Sequence, residues 1–143
     1  MLVSQILKTK GAEVFAANQT NTVAVAAALL HERRIGAVVI IDDAGDVAGI
    51  LSERDIVRLL AQEGADALQR PISSCMTRDV LFAKPSETID SLLSRMTDRR
   101  IRHLPVVEGG KLAGIVSIGD LVKSKIAETQ AEAEGLKAYI SAG

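Results

Sequence analysis

The sequence predicts an α/β (α+β) fold of two β-α-β-β-α repeats, the second ending in a long C-terminal helix. Three observations carry this reading. One eleven-residue device occurs twice, as Val47-Ala48-Gly49-Ile50-Leu51-Ser52-Glu53-Arg54-Asp55-Ile56-Val57 and as Leu112-Ala113-Gly114-Ile115-Val116-Ser117-Ile118-Gly119-Asp120-Leu121-Val122. Each copy reads as a buried strand, a sharp turn at Ser-x-x-Asp and the start of a helix. The match then extends to whole halves: the offset is 66 residues where Thr22 meets Thr88 and 65 where Ser52 meets Ser117. Finally, apolar residues at i, i+3, i+4 and i+7 precede the middle strand of each half, the spacing of an amphipathic helix.

Taken in order, residues 2–10 suit a short helix with Leu2, Ile6 and Leu7 inward, ended by Gly11. A short strand is expected near Val14-Phe15-Ala16. Thr20 or Thr22 caps a helix whose inner face is Val23, Ala26, Ala27 and Leu30. Ala37-Val38-Val39-Ile40-Ile41 is a β-branched run and suits a buried strand. Asp42 to Asp46 make a turn, Val47 to Leu51 return as a strand, and Ser52 opens a helix to about Gln62. In the second half Val80-Leu81-Phe82 matches the first strand, and Ser86 or Thr88 is the cap. Ile89, Leu92, Leu93 and Met96 form the inner helix face. Leu104-Pro105-Val106-Val107 is the middle strand, Glu108 to Lys111 the turn and Leu112 to Val116 the return strand.

Residues 1–66 thus read as the first repeat with its N-terminal helix, 67–79 as a connector and 80–143 as the second repeat. The one-residue change in offset falls in the turn, where a deletion is best tolerated. Neither half covers both faces of its small sheet, so the halves are expected to pack together as one module. The last helix is expected to reach about Ile140 with a thin apolar stripe of Ile126, Ala133, Leu136 and Ile140. Such a helix is poorly stabilised alone, and packing on a second subunit is its expected use.

Composition narrows the function. Lys and Arg total 17 against 18 Asp and Glu, a net charge of −1. That argues against broad nucleic-acid binding, which depends on neutralising phosphates. Phe15, Phe82 and Tyr139 are the only aromatics, too few for a base-stacking platform. No apolar run approaches the roughly 20 residues of a membrane span. Met1 to Lys8 lack the pattern of a secretion signal, and the single Cys75 has no internal disulfide partner, so the cytoplasm is the expected compartment. His31 and His103 have no companions at metal-ligand spacing, so no metal site is expected. Phosphate-binding and dinucleotide glycine motifs are absent, and Cys75 has no base at a readable spacing, so no catalytic group is assigned.

The two Gly-apolar-apolar-Ser-x-x-Asp signatures and the lead-in Arg102-His103-Leu104-Pro105-Val106-Val107 carry a resemblance. So does Met76-Thr77, at the usual start of a second repeat. From about Ile6 to Ile126 the chain resembles a pair of CBS domains, named after cystathionine β-synthase and also called a Bateman module. The resemblance implies two repeats related by a pseudo-two-fold axis, with clefts between them for adenosine-containing ligands such as AMP, ATP, NAD or S-adenosylmethionine. It also implies a sensor rather than an enzyme, frequent homodimers and, as in stand-alone members, a separate and unknown protein target.

Several residues suit such a ligand. A carboxylate has two acceptor oxygens and matches the vicinal hydroxyls of ribose, which points to Asp120 and Asp55. The other reading of each is a capping box, with the aspartate reaching back to the backbone of Ser117 or Ser52. From spacing alone both readings stand; the resemblance favours ribose at Asp120. A helix start offers N–H groups and partial positive charge to phosphate, and Ser117 and Ser52 can lend hydroxyls there. Gly119 permits close approach and Ile118 can cover an adenine face, whereas repeat one has Glu53, which repels phosphate, and Arg54, which attracts it. Arg100, Ile101, Arg102 and His103 lead into Leu104 and Pro105, and the guanidinium forks suit phosphate. Arginines that merely solvate a helix end are the plain alternative. In repeat one, Ile35, Gly36 and Ala37 can read a base through backbone groups. Val14 and Val80 can line the pockets or belong to the core. The second edge, with its extra Arg102, His103 and Gly119, is the expected ligand site.

Overall fold

The structure is a computed structural model describing residues 1–11 and 14–142. The chain forms α1 (Val3–Lys10), β1 (Ala16–Asn18), α2 (Val23–Arg33), β2 (Ala37–Ile41), β3 (Val47–Ser52) and α3 (Glu53–Glu63). After two short 3-10 turns, Gly64–Gln69 and Ile72–Ser74, come α4 (Ile89–Arg99), β4 (His103–Glu108), β5 (Lys111–Ser117) and α5 (Ile118–Ala142). The mixed α/β fold and the long C-terminal helix agree with the sequence. No helix among the described residues is long and apolar enough to cross a membrane.

The chain divides into two compact units, residues 13–81 and residues 1–12 with 82–143. In the 13–81 unit β1 pairs parallel with β2, and β2 antiparallel with β3. Thr22 caps α2 through its side chain, and α2 buries Val23, Ala26 and Leu30 against Val38, Ile40 and Leu51. Ile56 and Leu59 of α3 close the same core. In the other unit β4 pairs antiparallel with β5, Thr88 caps α4, and Ile89, Leu92 and Met96 are buried.

Three expectations need correction. The first concerns α1, which the sequence order groups with the first repeat. It packs with the second: Val3 N–H donates to Glu87 O at 2.9 Å, and Leu7 lies against Gly114. The stretch before the second repeat does the reciprocal job. Ile72 N–H donates to Asn21 O at 2.8 Å, and Thr77 exchanges two 2.9 Å bonds with Ile50 of β3. Ala67, Ile72 and Met76 enter the 13–81 core, so this stretch is more than a connector. Each repeat is thus completed by the segment that precedes the other repeat.

The second correction is Val80-Leu81-Phe82, which forms no strand. Pairing is reduced to one parallel bridge between Ala83 and Val106, made by Ala83 N–H to Pro105 O and Val107 N–H to Ala83 O, both 2.9 Å. The next bond toward Leu81 would need an N–H at Pro105, and proline has none. At the matching place in repeat one stands Val39, and there the ladder continues. Third, Val3 rather than Leu2 is the inward residue, because α1 begins at Val3 and Leu2 is its cap.

Candidate functional site

In both repeats the return strand ends at the serine of the signature and a helix begins on the next residue. Ser117 Oγ accepts the Asp120 N–H at 3.1 Å, and Asp120 Oδ2 accepts the Ser117 N–H at 2.8 Å. Ser52 and Asp55 repeat this at 3.3 and 3.0 Å. Both aspartates therefore make the capping box, the reading of Ser-x-x-Asp that required no ligand. A further backbone bond fixes each turn. Ile118 N–H donates to Arg102 O at 2.8 Å, and Glu53 N–H donates to Gly36 O at 3.0 Å. The cap and this bond occupy the first and third amides of each helix. An anion at the helix start is left with the second, Gly119 N–H in one repeat and Arg54 N–H in the other.

The ladder places the lead-in beside the signature. His103 pairs with Ser117, Leu104 with Val116 and Pro105 with Ile115; in the first repeat Ala37 pairs with Ser52. Arg100, Arg102 and Gly119 are exposed, and Ile101, His103, Ser117, Ile118 and Asp120 are half-buried. Leu104, Pro105 and Ala37 are buried, so their side chains belong to the core. Ile35 and Gly36 are half-buried, and Arg54 is exposed. Val14 and Val80 are half-buried in irregular stretches of the 13–81 unit.

Arg34 and Arg100 are the two non-glycine residues with positive φ among the described residues, at 54° and 55°. They end α2 and α4. Ile35 N–H reaches back to Leu30 O and Ile101 N–H to Met96 O. Glycine is the ordinary residue for this left-handed cap, so an arginine costs backbone energy at both ends.

The two edges differ in charge. Lys10 of α1 places Nζ 2.6 Å from Asp120 Oδ2 and 2.9 Å from Ile115 O. Burial pushes the Asp120 carboxyl up, but the Lys10 ammonium and the Ser117 amide outweigh it and hold it below the usual carboxylate range. The cap and the ion pair both use Oδ2; Oδ1 takes part in neither. Asp55 is buried, and its nearest cation is Arg58, with Nη1 3.7 Å from Oδ1. Lys10 escaped the sequence reading because its partner Asp120 lies in the other repeat. The signal was in the offset that matches Val3 to Ile72 and Leu7 to Met76: it sets Asp79 opposite Lys10, reversing the charge.

Two hollows accompany these edges. One of about 360 Å³ lies between α1 and α5, lined by Ile6, Thr9, Lys10, Asp120 and Lys123 among others. One of about 550 Å³ lies at the end of α2, lined by Leu30, His31, Arg34, Ile35 and Glu53 among others. Nothing within 4 Å demands glycine at 119 except ordinary contact: a Cβ there would meet only Ser117 Oγ, at 3.6 Å. Gly114 and Gly49 are structural by contrast. A Cβ would come within 2.6 Å of Leu7 Cδ2 at the first and of Thr77 O at the second. No group of three or more potential metal ligands occurs among the described residues. Burial, then Asp55 and Glu63, push the Cys75 thiol up, away from the reactive thiolate.

The CBS domain family model matches the chain twice, over residues 3–62 and 72–126. Among solved structures, the chain is similar to a CBS-domain containing protein from Agrobacterium tumefaciens. Identity is 44% and the TM-score 0.84, covering 87% of this chain and 92% of that one. It is also similar to the CBS domain pair of protein MJ0100, solved with 5-methylthioadenosine and S-adenosyl-L-methionine. Here identity is 28% and the TM-score 0.79, over 90% and 98% of the two chains. A CBS domain protein from Pyrobaculum aerophilum, complexed with AMP, matches at 25% identity and a TM-score of 0.75, over 84% and 89%.

Proposed function

The chain belongs to the CBS domain family, and from that premise we propose that it is a non-enzymatic regulatory module that binds an adenosine nucleotide at the Ser117–Asp120 turn. AMP, ATP and NAD are the candidate ligands. The single observation that carries the assignment to this turn is the Gly119 amide, the first-turn N–H of α5 that neither the cap nor the bond to Arg102 uses, on an exposed glycine that no packing or backbone angle requires. Glycine weakens a helix relative to alanine by about 0.5–1 kcal/mol. A phosphate approaching the Gly119 amide supplies the missing reason.

In this reading Asp120 Oδ1 accepts a ribose hydroxyl while Oδ2 stays on its cap. Arg100 and Arg102 offer guanidinium groups to phosphate, His103 lies beside Ser117, and Ile118 covers the base. Adenosine ligands in two solved relatives support the ligand class. The nucleotide acts by binding two arrangements of the protein unequally, and a homodimer passes that change to a separate target protein. A reducing compartment such as the cytoplasm suits the free Cys75.

A second reading has its own observation. Both aspartates are folded onto their helix caps, as a dimeric adaptor with no nucleotide would have them. Thermal unfolding with AMP, ADP, ATP, NAD, NADH and S-adenosylmethionine separates the two. A ligand at 100 times its Kd stabilises by about 2.7 kcal/mol. A shift with at least one ligand supports the sensor, and no shift at millimolar levels supports the adaptor.

A further inference from the structure

From Thr129 to Ala142 every residue of α5 is exposed, so the chain covers no side of this stretch. A free helix of this length is marginal in water. Its large aliphatic residues nonetheless share one seam, with Thr129 and Ala133 filling the positions between them. Val122, Ile126, Thr129, Ala133, Leu136 and Ile140 are spaced alternately four and three residues apart. That is the a/d seam of a left-handed coiled coil, narrower than the stripe of a helix lying on a globular core. Ile126 is 54% exposed, Leu136 61% and Ile140 68%.

The flanking charges choose the partner and its direction. With Ile126, Ala133 and Ile140 at a, Glu132 falls at g and Lys137 at the following e. In a parallel pair of identical helices each Glu132 faces Lys137 of the other copy, which is attractive. In the antiparallel pair with the same seam, Glu132 faces its own copy and Lys123 faces Lys137, which is repulsive. We propose that α5 pairs with α5 of a second copy of this chain as a parallel, in-register coiled coil over residues 122–140. This rests on the homodimer reading above and names its surface.

The test uses the full chain with Cys75→Ser and a new cysteine at one of two places, oxidised gently, with the mass measured by light scattering. Ile140→Cys is expected to give a disulfide-linked dimer, because the two residues meet in the parallel seam. In an antiparallel pair Ile140 would face Val122, and two Ile140 positions would stand roughly 27 Å apart. Ala131→Cys, on the outer f position, is the control expected to stay unlinked. Glu132→Lys is expected to weaken dimerisation about tenfold, and adding Lys137→Glu to restore it. Leu136 is exposed, so Leu136→Lys leaves the monomer folded and is expected to dissociate the dimer. A dimer that fails to link at Ile140 overturns this surface and leaves the homodimer standing. A monomeric mass overturns both.

Discussion

Lys10 Nζ stands 2.6 Å from Asp120 Oδ2, joining the last turn of α1 to the first turn of α5 across 110 residues of sequence. The ion pair makes the Asp120 edge tolerant of an anion, since the carboxylate charge is already balanced. Removing the lysine should therefore matter more for a phosphorylated ligand than for a neutral one. Lys10→Met is expected to weaken AMP binding about tenfold and adenosine binding by less than about twofold. Calorimetric titration of both ligands checks this; an equal loss for the two would show that Lys10 serves the fold and not the charge.

The same pair sets a pH dependence. The folded Asp120 carboxyl titrates below its ordinary value. Such a group contributes stability above its unfolded pKa of about 3.9, and that stability is lost as pH falls through its folded value. Asp120→Asn is expected to lower Tm at pH 7 and to flatten the fall in Tm below about pH 4. A variant with an unchanged acid limb would show that the ion pair does not hold in solution.

Three glycines should respond differently to alanine. Gly49→Ala drives a Cβ toward a backbone oxygen, Thr77 O, and is expected to cost about 1–3 kcal/mol. Gly114→Ala meets the end of a side chain, Leu7 Cδ2, and is expected to cost less. Gly119→Ala has room and is expected to raise stability by about 0.5–1 kcal/mol while reducing nucleotide affinity. Denaturant melts rank the three. A Gly119→Ala protein that binds as well as wild type would remove the reason given for that glycine.

Arg100 offers a second separation of binding from stability. Its positive φ makes glycine the better residue for the backbone. Arg100→Gly is expected to stabilise the fold by about 1 kcal/mol and to weaken binding of phosphorylated ligands. Loss of stability instead would mean that the guanidinium has a packing role.

The repeat, the helix faces, the threonine caps and both Ser-x-x-Asp turns were legible in the sequence because each rests on local periodicity and capping chemistry. Three features were not. Helix α1 lies on the second repeat because Leu7 fills the space left by Gly114, as Met76 does at Gly49; chain order carries no sign of which repeat a segment will complete. The strand expected at Val80-Leu81-Phe82 failed through a missing N–H at Pro105, one strand away in space. Lys10 joined the site from the segment ahead of the other repeat. The capping box and the ribose contact ask for the same residues at the same spacing. Sequence left both open, and the structure shows the cap.

Titration of AMP into the wild-type chain and into Asp120→Ala tests the central claim most directly. Saturable binding to the wild type that disappears in a still-folded variant is the expected result. Equal affinity in the two proteins, or no heat with either at millimolar AMP, would contradict an adenosine nucleotide held at Asp120.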